Sequence, residues 1–142
     1  MSVTFQEKSL WVTFVGLLLA FAAYFWLAYA SILPTSAVKD LLPHQAALFM
    51  VTTVLLVIIL VAGHVAIAVV DRRSQTDERD RWIALKGGRN GSYVLACGVF
   101  LSLCTALLTE GNAIMAHVLL GFWVLAQAVE IVSQLILYRR GT

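Results

Sequence analysis

Glu130 is the residue whose type and setting most invite chemistry: a carboxylate inside an apolar stretch covering about 113–138. Gln127 and Gln134 stand three residues before it and four after it, so a helix places all three on one face. Eight residues separate Glu130 from Tyr138, about 12 Å at a helical rise of 1.5 Å. His64 lies seven residues before Asp71 on another apolar stretch, at a comparable depth. Ionisable groups are costly in hydrocarbon, and there they mark sites by default. A His64–Glu130 contact would be a charged pair or a neutral acid hydrogen-bonded to imidazole. Its sharper meaning is a proton- or cation-linked site. Its plainer and favoured meaning is a polar clasp that sets helix register.

The second cluster is the charged run 71–91, with six of the ten basic residues (Arg72, Arg73, Arg79, Arg81, Lys86, Arg89) and four of the eight acidic ones (Asp71, Asp77, Glu78, Asp80). Ser74 or Thr76 suits a helix N-cap, with Asp77 and Glu78 in the first turn, where the helix dipole favours negative charge. Asp77 and Arg81 form an i,i+4 pair in the favourable order. Trp82, Ile83 and Leu85 gather on one side, which predicts a short amphipathic helix lying at a membrane surface. Gly87, Gly88 and Gly91 then allow a bend into the next span; one continuous helix is the costlier alternative. Asp77, Glu78, Arg79, Asp80, Arg81 and Trp82, with Arg139 and Arg140, make up the candidate docking surface. The acids would either clamp the two C-terminal arginines or receive a partner. Exposed ion pairs contribute only about 0–1 kcal/mol each, so their use would be specificity.

Elsewhere chemistry is sparse. Metalloprotease, phosphate-loop and CxxC patterns are missing, which excludes the common enzyme classes and leads us to expect no catalytic residue, metal or cofactor. His44 and His117 read as ordinary interfacial histidines. Cys97 and Cys104 share one helix face two turns apart, too far to bridge, and are expected to be buried small hydrophobes.

The elements that carry these residues follow from composition. Of 142 residues, 61% are hydrophobic and 13% charged, and the mean hydropathy is +0.87. Soluble domains hold about 25% charged residues, so water cannot cover this chain. Apolar stretches at about 10–33, 45–70, 92–108 and 113–138 are long enough to span a bilayer, the third with help from the residues before it. The first reads as a span rather than a cleaved signal, because it is long and its lead is not clearly basic. Gly16, Ala20, Ala23 and Ala30 there, and Gly91, Gly98, Ser102, Thr105 and Thr109 in the third, form small-residue stripes that invite close packing. Pro34 and Pro43 bracket a first loop. The expected fold is all-α: a single-domain, up-down integral membrane four-helix bundle with a short amphipathic cytoplasmic helix before the third span.

Nine of the ten basic residues, all but Lys39, fall on the side shared by the N-terminus, the run 71–91 and the C-terminus. The positive-inside rule places that side in the cytoplasm of a bacterial cell, with the chain in the inner membrane. A basic stripe of the kind that binds nucleic acid is missing.

Asp77-Glu78-Arg79-Asp80-Arg81-Trp82-Ile83, the following Gly88 and Arg89, Ser92-Tyr93-Val94-Leu95 and the ending Gln134-Leu135 with Tyr138-Arg139-Arg140-Gly141 resemble a family of small prokaryotic four-helix membrane proteins. In these a D-E-R-D segment precedes the third span. The family is a domain of unknown function whose members are often encoded beside small helix-turn-helix regulators. The resemblance implies an accessory or regulatory membrane protein and carries no catalytic residue. Function is therefore expected to be non-enzymatic, through a cytoplasmic protein partner or self-association within the lipid bilayer. The alternative is a small dimeric proton- or cation-coupled transporter using Glu130 and His64; a weaker one is a subunit anchoring a redox complex.

Overall fold

The computed structural model describes residues 5–32, 38–70, 77–108 and 113–140, without the side chains of 31–32, 38–43 and 70. Among the described residues it is all-helical: α1 (Phe5–Ile32), α2 (Val38–Val70), α3 (Glu78–Leu108) and α4 (Ala113–Arg140). Each helix is long and apolar enough to cross a membrane. The bare backbone dictates this outcome, because in hydrocarbon each amide must find its partner within its own helix. Serine and threonine obey the same demand by bonding back onto preceding carbonyls, as Thr53 does to Phe49 and Ser102 to Gly98.

The chain divides into two compact units, residues 11–72 and residues 1–10 with 73–142. In the first, α1 and α2 run antiparallel. Gly16 faces Leu56, Ile59 and Leu60, and Gly63 faces Val12. Farther along, Tyr24 meets Phe49 edge-on at 6.1 Å between centroids. The buried residues of α1 are Gly16, Leu17, Phe21, Tyr24 and Ala28; of the expected stripe Gly16 is buried, Ala20 half-buried, and Ala23 and Ala30 exposed.

In the second unit, α3 and α4 pack antiparallel along a stripe of small residues. Gly87, Gly91, Gly98 and Ser102 are all buried. A methyl group on Gly91 would stand 2.9 Å from the carbonyl oxygen of Ala126, and one on Gly87 would stand 2.9 Å from that of Glu130. At Gly98 it would run into the ring of Phe122. The expected stripe in the third span is thus the contact face, extended one turn by Gly87; Thr109 lies outside the described residues.

Three element boundaries differ from expectation. The short amphipathic helix and the third span are one helix, α3, without a break at the glycines. Gly87 and Gly91 serve the close approach of α4, and a gap-free helix keeps every amide paired. The second helix begins at Val38 and runs through Pro43, where the loop 34–44 was expected. Proline there forfeits one hydrogen bond, near a helix start where the first four amides lack intrahelical partners anyway. The first helix starts at Phe5, ahead of the expected 10.

The start of α3 is capped by Asp77. Its carbonyl accepts from the Arg81 amide at 3.2 Å, and its Oδ1 accepts from the Glu78 amide at 2.7 Å. Asp80 Oδ2 reaches back to the Asp77 amide at 3.3 Å, closing a reciprocal capping arrangement. Ser74 and Thr76, the expected caps, lie outside the described residues. Asp77→Ala should cost about 1 kcal/mol, the usual size of a lost cap. It should show as faster amide exchange at Glu78–Arg81, with residues beyond Gly91 unchanged.

Candidate functional site

The expected polar face of α4 is only partly assembled around Glu130. Gln134 Nε2 donates to Glu130 Oε1 at 3.3 Å, and Gln134 is buried, with its stem against Gly87. The Glu130 carboxylate lies over Gly88 and Gly91. One turn earlier, Gln127 is half-buried. Beside them Asn90 Nδ2 donates to Ser133 Oγ at 3.1 Å, a second polar link between α3 and α4. The depth of Glu130 now has a reference on the neighbouring helix. It stands level with Gly88–Gly91, where the charged part of α3 gives way to its apolar part.

His64 belongs to the other unit. Its Nδ1 is 2.7 Å from the Leu60 carbonyl of its own helix, a local bond that orients the ring. Glu130, the partner that the sequence allows for His64, belongs to the second unit. His117 repeats the local pattern with Ala113 at 2.7 Å, and His44 is exposed. Cys97 is exposed and Cys104 half-buried, both as free thiols, so the expected burial fails for Cys97. The pair shares a face that points away from the glycine stripe. A span has no need to hide a small apolar group from lipid.

The first described part of the charged run, 77–82, gathers at the tip of the α3–α4 hairpin. Tyr138 Oη donates to Asp80 Oδ1 at 2.8 Å, and Arg79 Nη2 donates to the Tyr138 carbonyl at 3.5 Å. That second bond serves one of the last carbonyls of α4, which helical geometry leaves unpaired. Among the described residues, the run reaches the end of α4 through Tyr138, one residue before the expected Arg139 and Arg140, which are exposed. The first turns of α1 complete this end. Gln6, Ser9 and Leu10 line a small cleft of roughly 170 Å³ with Asp80, Arg81, Gln134 and Tyr138.

Around this frame Asp77, Glu78, Arg79 and Arg81 are exposed, and Trp82 is 55% exposed, while Ile83 beside it is 1% exposed. Of the three residues expected on one apolar side, Ile83 anchors the core, and Trp82 and Leu85 (72% exposed) face outward. Lys86 Nζ sits 3.5 Å over the Trp82 ring.

Tyr138, Asn90 and Ser133 escaped the reading of the sequence. Nothing near Tyr138 in the sequence signals its partner, which is 58 residues away. The spacing of Asn90 and Ser133 carries no local signal either. Comparison with family models, curated proteins and solved structures finds no match for this chain.

Proposed function

We propose that this chain is a non-enzymatic accessory or regulatory protein of a bacterial inner membrane, acting through a cytoplasmic protein docked on the tip of α3. In this reading both termini and the charged run face the cytoplasm, as the bias of basic residues favours. One observation carries the proposal. Asp80 is bonded twice, to the cap of α3 and to Tyr138 of α4, so the tip is a fixed support. That support leaves Glu78, Arg81 and Trp82 exposed side by side. A pre-organised surface of mixed charge beside an aromatic residue suits a protein partner, since less ordering is lost on binding. The likeness of 77–95 to small membrane proteins encoded beside regulators points the same way. In this reading Glu130 has no transport role, and the polar link of Asn90 to Ser133 helps to hold the register of α3 on α4.

Native mass spectrometry of protein released gently from its own membrane tests the reading. The wild-type chain should carry a cytoplasmic protein. Glu78→Lys with Arg81→Glu should lower its retention about tenfold or more, as charge reversals in an interface do. Glu130→Gln should leave it unchanged. A homodimer that holds a small molecule and no second protein would instead favour ion-coupled transport by Glu130 and His64.

A further inference from the structure

The outward face of α3 carries a second feature at a different height from the tip. Trp82, Lys86, Arg89 and Tyr93 recur at three- and four-residue spacing, so they form one stripe. That stripe points away from Gly87, Gly91 and Gly98, which face α4. Trp82, Arg89 and Tyr93 are exposed. The acids of α3 (Glu78, Asp80) sit at the tip, and Glu130 lies over Gly88 and Gly91 on another side of the helix. From Trp82 to Tyr93 the stripe is therefore basic and aromatic throughout.

Antiparallel packing gives the depth of this stripe. Asp80 stands level with Tyr138, Gly87 with Glu130 and Gln134, and Gly91 with Ala126 and Glu130. Arg89 thus lies about 13 Å farther along the hairpin than Asp80, at 1.5 Å per residue. At the height of Lys86, α4 still presents exposed Val132, and at that of Trp82 exposed Ile136. From Tyr93 to Leu108 the apolar part of α3 reaches only about 24 Å, short of a ~30 Å hydrocarbon core. The bilayer must take in the residues just before Tyr93. Two cations consequently face outward where lipid headgroups begin. Lys86 bends towards the tip over Trp82, the direction in which a lysine snorkels to water.

We infer that Lys86 and Arg89, framed by Trp82 and Tyr93, form a seat for the headgroup of an anionic phospholipid. Arg89 offers the planar fork that matches two phosphate oxygens, and Lys86 adds a point charge. The two aromatic rings belong at the same interfacial level and fix the height of the seat. The inference rests on the membrane-spanning reading; it shares Trp82 with the proposed docking surface, but the cations that carry it, Lys86 and Arg89, lie outside that surface.

The test is lipid selectivity of the full chain in nanodiscs of equal phosphatidylglycerol and phosphatidylcholine, read as lipids retained in native mass spectrometry. The wild type should retain phosphatidylglycerol about tenfold over phosphatidylcholine. Lys86→Gln with Arg89→Gln should bring the ratio near unity. Arg139→Gln with Arg140→Gln should keep it, as should the charge-conserving Lys86→Arg with Arg89→Lys. On the wild type alone, the preference should fade at 1 M salt, where the screening length falls to about 3 Å. Inorganic phosphate at millimolar level should leave it intact. Selectivity that survives loss of Lys86 and Arg89, follows Arg139 and Arg140, persists at 1 M salt or yields to free phosphate overturns the inference. So does a soluble acidic protein bound at these residues without lipid.

Discussion

Gly98→Leu is expected to separate α3 from α4 and to cost the hairpin about 3 kcal/mol or more, the upper range for overpacking a tight contact. Gly98 is buried, and even a methyl group there would enter the ring of Phe122. Turning the Phe122 ring relieves only part of this, because the nearest atom is Phe122 Cβ, which no rotamer moves. Gly91→Leu is limited in the same way. Its nearest obstacle is the Ala126 carbonyl oxygen at 2.9 Å, which is backbone and moves only with the whole of α4. Gly98→Leu and Gly91→Leu should therefore both be severe, with Gly88→Leu far milder. At Gly88 the nearest atom is Glu130 Oε1 at 3.8 Å, the end of a flexible side chain. Reversible unfolding in bicelles, followed by a pair of labels on α3 and α4, measures all three. Equal effects at Gly88 and Gly91 would mean that helix propensity, rather than close approach, governs these glycines. Partial recovery of Gly98→Leu by Phe122→Ala, which removes the ring and leaves Cβ, would show that the ring's share of the clash is real, since the two sites share one volume.

These glycines also show what the sequence can and cannot reveal. Their small size was legible, and so was the stripe Gly91–Gly98–Ser102 as a packing face. The meaning of Gly87 was not. Glycine signals a bend when judged by its own backbone freedom and a close approach when judged by its neighbour, and only the neighbour decides. The neighbour here, Glu130 with Gln134, lies more than forty residues away. A related limit explains the alanines of α1 and the exposure of Cys97. Apolar residues run all round each helix, because lipid is as apolar as a helix interface, so periodicity does not mark the inward face. The spans themselves were plain from length and apolarity. Boundaries shifted at Pro43 and Phe5, where a helix continues past its apolar part because unpaired amides cost more than a proline near a helix start. Of the candidate site, Glu130 with Gln134 was legible as an i,i+4 pair. The tie of Asp80 to Tyr138 was not, since each residue has a satisfactory local explanation.

That tie should be the largest polar contribution to the tip, and its two halves can be separated. Tyr138→Phe removes only the bond from Oη to Asp80 Oδ1, formed at 2.8 Å between a hydroxyl and a carboxylate. Hydrogen bonds to charged groups contribute about 1.5–3 kcal/mol, and the half-buried setting favours the lower end. Asp80→Ala removes that bond and the one from the Asp77 amide to Oδ2, so α3 loses part of its cap as well. It also leaves the Tyr138 hydroxyl half-buried without this acceptor. Asp80→Ala should thus cost about 1 kcal/mol more than Tyr138→Phe, the size of a cap. The double variant should match Asp80→Ala closely, because the shared bond can be lost only once. Chemical unfolding of the four proteins in one bicelle composition gives the cycle. A coupling energy near zero would mean that Asp80 acts on α3 alone, and the tip would then lack the fixed support on which docking depends. A coupling above about 1 kcal/mol would put the rigidity of that surface on measured ground. Glu78 and Arg81 could then be varied as contacts without disturbing their frame.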